Sequence, residues 1–200
     1  MNQNIHNPKY LDIIKTAHDL FWKHGIKRVS IEEICKEANI SKMTFYRFFP
    51  NKIELAKTII KNMFDESFAL YQNLMTENIS FEEKIKKQIL AKFEGTKNIS
   101  SELIKDIYTD KKLGLLEYWE KRTAEFTDQV IKDFALAQEM GWMRKDIKLE
   151  FIMYFNSKMA EMVYDPQLEK MYGNTQDLIM EITNLFFYGI FPKERNGNEL

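Results

Sequence analysis

The chain has 200 residues, 44% of them hydrophobic and 30% charged, with a formal net charge of -1, a balance that excludes a disordered polyelectrolyte and a multi-span membrane protein. Folding at this length can bury roughly 70% of the extended chain's surface, enough for a self-sufficient core. Seven Gly and four Pro are too few for the reversals of a sandwich or barrel, and the abundance of Lys, Glu, Ile, Leu, Met and Phe predicts an all-α protein.

One cysteine, Cys35, excludes an intramolecular disulfide, and no cationic start leads into an apolar stretch with a small-residue cleavage site. No apolar run approaches the roughly 18 to 20 residues that cross a bilayer. A cytoplasmic protein without membrane association is expected. Residues 1–60 carry ten Lys/Arg against six Asp/Glu, and residues 61–200 nineteen against twenty-four, so the two parts are +4 and -5. A basic module on an acidic body suits a polyanion partner for the first part, although a difference of this size also arises by chance.

The first periodic segment runs from Pro8 to His24, with Ile13, Ile14, Ala17, Leu20 and Phe21 at helical spacing and Gly25 as its stop. Ser30 and Glu33 form a capping-box signature for a short second helix, which buries Ile31, Ile34, Cys35 and Ala38. Asn39 can take the left-handed conformation that closes that helix, and Ser41 caps a third over residues 42–49, stopped by Pro50. Asn51 and Glu54 repeat the cap for a fourth helix. Two short helices joined by a tight turn, the second rich in Lys, Thr, Tyr and Arg, make a helix-turn-helix whose second helix is sized for a major groove.

Residues 17–55, reading AHDLFWKHGIKRVSIEEICKEANISKMTFYRFFPNKIEL, resemble the DNA-binding domain of the TetR family of bacterial transcriptional regulators. The resemblance runs through I-x-x-I-x-x-x-A and I-S-K to T-F-Y-x-x-F-x-N-K-x-x-L and is most specific from Ile40 onward. It implies a DNA-binding domain over residues 1–52 and a helical ligand-binding and dimerisation domain over residues 53–200. It also implies that Ser41, Lys42, Met43, Thr44, Tyr46, Arg47, Lys52 and Arg28 meet double-stranded DNA at a palindromic operator. Lys42 and Met43, at the leading end of the reading helix, suit guanine acceptors and a thymine methyl. Thr44, Tyr46 and Lys52 stand where the family contacts phosphate, Arg47 can serve either set, and Arg28 is a groove-flank or backbone contact. Phe45, Phe48 and Phe49 are expected to hold the reading helix to its neighbours. Met43 and Asn39 replace residues that are often Gly in the family, so no base preference is borrowed from relatives.

His6, His18 and His24 lack the spacing of a helical metal site, and Cys35 lies on a buried stripe; neither a metal nor a cofactor is expected. Beyond residue 60, the fourth helix should continue to about Leu74. Five more are expected over 81–94, 101–109, 115–140, 149–164 and 175–191, about nine in all. The last two carry apolar stripes, Leu149, Ile152, Met153 and Asn156 on one and Leu178, Ile182, Leu185, Phe186 and Gly189 on the other. These fit a four-helix bundle with a second copy, the family's usual dimer. Residues 61–200 hold nine of eleven Met and eleven of fifteen Phe, side chains that fill a core or line an apolar cavity. With the family's example, Phe93, Tyr118, Trp119, Phe126, Phe155, Met159 and Met162 are candidate lining for a small apolar or aromatic effector.

The expected function is a homodimeric, ligand-responsive transcriptional regulator, most often a repressor in this family. One alternative is a regulator without a small-molecule ligand, controlled by a protein partner or by abundance. A helical enzyme is a remote one, since no nucleophile elbow, phosphate loop, HExxH or paired CxxC sets an acid beside a base.

Overall fold

Short polar residues before apolar periods set the helix starts. In the computed structural model, which describes residues 7–191, Asn7 accepts from the Lys9 N–H with Pro8 at the first helical position, so α1 spans Pro8–His24. Ser30 and Ser41 accept from the N–H of Glu33 and Thr44 to open α2 (Ile31–Glu37) and α3 (Lys42–Phe48). Asn51 accepts from the Glu54 N–H at 2.9 Å at the start of α4 (Lys52–Thr76). Ser80, in a complete capping box with Glu83, opens α5 (Phe81–Gly95), and Ser100 opens α6 (Ser101–Tyr108). There follow α7 (Leu115–Glu139), α8 (Leu149–Met162), α9 (Pro166–Glu169) and α10 (Thr175–Ile190).

The described residues thus hold ten helices, where sequence periodicity predicts nine. The additional one, α9, has four residues, too few for any apolar period; its start is written in Asp165, which accepts from the N–H groups of Gln167 and Leu168 ahead of Pro166.

The chain divides into two compact units, residues 7–69 with 98–122 and residues 70–97 with 123–191. In the first, Ile13, Ala17 and Phe21 of α1, Ile34 and Cys35 of α2 and Phe45 of α3 share one core with Leu55, Ala56, Ile59 and Ile60 of α4, Leu103 and Ile107 of α6 and Leu115 of α7. The helix-turn-helix core is therefore closed by side chains far along the chain, and the expected division at residue 52 falls at the first residue of α4, inside this unit. In the second unit, Phe81, Ile85, Phe134, Ala137, Met143, Ile152, Phe186 and Ile190 form a separate core. There the Tyr71 hydroxyl donates to Asp133 at 2.7 Å, and buried Lys84 donates to the Met75 carbonyl at 2.6 Å, satisfying an end of α4. α4 and α7 each give one end to either unit.

Gly25 ends α1 at φ 79° and ψ 161°, a region essentially restricted to glycine. A Cβ there would lie 2.9 Å from Asp106 Oδ2 and 3.0 Å from Glu102 Cβ of α6. Gly25→Ala is expected to lower stability by about 1 to 3 kcal/mol, read as a lower urea midpoint; an unchanged midpoint would show that this turn relaxes without cost.

Candidate nucleic-acid interface

The turn between α2 and α3 is a Schellman motif: Ile40 N–H donates to Cys35 O at 2.9 Å and Asn39 N–H to Lys36 O at 3.2 Å. Asn39 supplies the positive φ, 50°, that the motif needs in place of the family's frequent glycine. Ser41 Oγ lies 3.0 Å from Thr44 Oγ1 and accepts from the Thr44 N–H at 3.1 Å, which fixes the first turn of α3. Phe45 is fully buried, and Tyr10 stacks on Phe49 at 5.3 Å and meets Phe48 edge-on at 5.7 Å. These rings hold α3 by one face.

The other face is open. Met43 is 83% exposed and Tyr46 52%, so a large apolar side chain and a phenol stand in solvent beside Ser41, Lys42 and Arg47, which are exposed as well. The Arg47 guanidinium lies 4.7 Å over the Phe48 ring, which orients it without neutralising it. Arg28 is exposed just before α2. Among the described residues no cluster of three or more His, Cys, Asp or Glu is placed to hold a metal ion. Cys35 is buried, and that burial raises its thiol above the ordinary range. His18 stacks on Trp22 at 4.6 Å and meets Asp19 at 3.1 Å, whereas His6 lies outside the described residues.

Two of the expected DNA contacts have partners that spacing does not reveal. The Lys42 ammonium is paired with the Glu32 carboxylate of α2, and that one contact raises the lysine and lowers the glutamate relative to their ordinary values. Lys52 donates to the carbonyls of Lys27 and Val29 at 3.1 and 2.5 Å, and burial pulls its ammonium down. A phosphate contact from Lys52 would have to use its third N–H. The loop that Lys52 holds is also held by α6 and the residues after it, the Lys27 N–H donating to Asp106 at 2.8 Å and the Lys27 ammonium pairing with Asp110 at 2.7 Å, while the Ser100 N–H at the cap of α6 donates to Trp22 O of α1 at 2.8 Å.

An apolar cavity of about 30 Å³ lies in this first unit among α1, α4, α6 and α7, walled by Phe21, Ile60, Met63, Leu103, Ile107 and Trp119 among others. Of the seven candidate effector contacts only Trp119 lines it; Tyr118 packs nearby in the same core. Phe93, Phe126, Phe155, Met159 and Met162 belong to the second unit and are not brought to this cavity. Met and aromatic enrichment marks residue types, and says nothing of which helices enclose a space.

The expected dimer stripes divide likewise. Ile152, Leu178, Ile182 and Phe186 are buried within the single chain, Leu149 and Met153 are half-buried, and of these stripe residues only Asn156, Leu185 and Gly189 are exposed. The aromatic residues beside the stripes face solvent instead: Phe151, Tyr154 and Phe155 of α8 and Tyr188 of α10, with Leu185, are all at least 42% exposed. Stacking of Phe155 on Phe186 at 6.5 Å sets the two helices side by side.

Residues 13–59 match the family model of bacterial regulatory proteins of the tetR family. The uncharacterised HTH-type transcriptional regulator YuxN of Bacillus subtilis is 35% identical over 83 residues, a match that spans 42% of this chain and 28% of that protein. A second regulator of the same organism, YdgC, is 24% identical over 196 residues, 94% of each chain. In fold, the chain is similar to the fatty acid degradation regulator FadR of Bacillus halodurans, with a TM-score of 0.69 at 18% identity over 91% of this chain and 96% of that one. The helix-turn-helix of residues 13–59 is thus that of the bacterial tetR regulatory proteins, on a chain similar over most of its length to a transcriptional regulator in sequence and in fold.

Proposed function

We propose that this DNA-binding regulator is a homodimeric repressor that holds a palindromic operator and leaves it when a small apolar or aromatic molecule binds. Residues 1–52 would meet DNA, and residues 53–200 the effector and the second subunit. The observation that carries the DNA contact is α3 itself, with Phe45 wholly inside and Met43 83% exposed. An apolar side chain in water on a reading helix gains a partner in a thymine methyl, beside the ammonium of Lys42. The protein would act in the cytoplasm without cofactor, catalysis or membrane contact; no described helix is long and apolar enough to cross a membrane.

Release would follow from a change in the spacing of two reading helices, which must stand about 34 to 36 Å apart to enter successive grooves. The hydrogen bond from the Lys27 N–H, in the loop before α2, to Asp106, and the core that α6 shares with α1, support a path by which a shift of α6 reaches the DNA face. FadR's connection with fatty acid degradation is in keeping with an apolar effector. The small volume of the cavity, about 30 Å³, favours a second reading, a regulator without a small-molecule effector. A compound that raises the melting temperature and lowers operator affinity decides for the first.

Lys42→Ala and Met43→Ala are expected to change which bases are preferred, with about 1 to 3 kcal/mol lost at the affected position. Tyr46→Phe should weaken all duplexes alike, because a phosphate contact carries no sequence information. Anisotropy titrations of labelled operator and single-base variants measure both effects. Binding indifferent to all three substitutions would contradict the assignment of α3.

A further inference from the structure

We propose that Glu32 is a second sequence-determining residue of the DNA interface, accepting a hydrogen bond from a cytosine amino group beside the guanine contacted by Lys42. The inference rests on the assignment of α3 as the reading helix. Glu32 is the second residue of α2, and its carboxylate meets the ammonium of Lys42, the first residue of α3. Both side chains are more than half exposed, 62% for Glu32 and 55% for Lys42, and Lys42 immediately precedes the 83% exposed Met43 in α3. A groove that receives Lys42 in this paired arrangement meets the Glu32 carboxylate as well.

A carboxylate has only acceptor atoms. Against DNA it is repelled by phosphates and by the O6 and N7 of guanine and the O4 of thymine, and of the groove groups it suits the cytosine N4 amino group best. An ammonium has only donors, and it suits guanine O6 and N7. The Lys42–Glu32 pair therefore presents a donor and an acceptor side by side, the complement of the guanine acceptors and cytosine donor on a G·C pair or on adjacent pairs. In the same way Glu32 opposes binding without sequence preference, because it occupies Lys42 and brings a negative charge toward phosphates.

The test is selection of duplexes from a random pool by the full-length wild type and by Glu32→Ala, Glu32→Gln and Lys42→Ala, with melting temperatures as a check on the fold. Glu32 is an exposed surface residue, so little change in melting is expected. Wild type should favour cytosine at one position of each half-site by roughly 5- to 150-fold. Glu32→Ala should lose that preference and bind random duplex more tightly, with a log-salt slope steeper by about one per subunit as Lys42 becomes available to a phosphate. Glu32→Gln should shift the same position toward adenine, the base a carboxamide reads. The cytosine preference should survive Lys42→Ala. If the Glu32 variants select the wild-type sequence, or alter only the position that Lys42→Ala alters, Glu32 merely positions Lys42 or does nothing, and the proposal fails. If wild type enriches no sequence at all, the assignment of α3 fails with it.

Discussion

Leu185→Asp is expected to convert the protein from a dimer to single chains of 23.9 kDa with the fold intact. Leu185 is 66% exposed and belongs with Tyr188, Phe151, Tyr154 and Phe155 to the open face of α8 and α10. Five large apolar side chains on two adjacent helices form the kind of patch that a soluble protein keeps for a partner, and in the proposed dimer that partner is a second copy. A carboxylate on this face would be buried without a counter-charge on association but would stand in water in the separated chain, so its cost falls on the dimer alone. Loss of the second half-site contact should then weaken operator binding by roughly 10²- to 10⁴-fold. Ile182→Asp is the control, since Ile182 is 6% exposed within its own subunit and a charge there should unfold the chain. Sedimentation together with a denaturation curve separates the two results. A wild type that sediments as a single chain, or a Leu185→Asp variant that stays dimeric, would remove this face from the interface.

Phe45→Ala should destabilise the protein by about 3 to 5 kcal/mol, the usual range for emptying a buried aromatic site. The ring has no exposed surface, lies edge-on to Tyr46 at 5.5 Å and is 6.0 Å from Phe49. A loss of this size is a large share of the roughly 5 to 15 kcal/mol by which domains are stable, and DNA binding should disappear with the core. Met43→Ala, two residues away, should leave the urea midpoint within the error expected of a surface change, about 0.5 kcal/mol, while altering base preference. If the two substitutions had equal effects on stability, α3 would not be divided into a packed face and a reading face.

Local signals carried much of this in the sequence. Ser30, Ser41 and Asn51 are caps wherever a short polar side chain precedes an apolar period, and Asn39 occupies the left-handed position that closes α2. What depends on distant packing was not legible. A 3-4 stripe states that a helix face is covered, not by which chain, and so Ile182 and Leu185 look alike in sequence although one lies in the core and the other in solvent. In sequence Glu32 is an acidic residue in the first turn of a helix, where the macrodipole accounts for it; only the fold sets it against Lys42, ten positions on. Lys52 was legible as a family residue, but its hold on the Lys27 and Val29 carbonyls comes from the path of the loop. The share of α6 in the helix-turn-helix core is of the same kind, joining residues more than fifty positions apart.

Selection of bound duplexes from a random pool by the wild-type protein tests the central claim most directly. Two reading helices related by a two-fold axis require an enriched palindrome, with half-site centres one helical turn apart, about 10 base pairs, or a multiple of that. A pool that emerges without an enriched sequence, or with a single half-site of no two-fold symmetry, would contradict a dimeric regulator that reads DNA through α3.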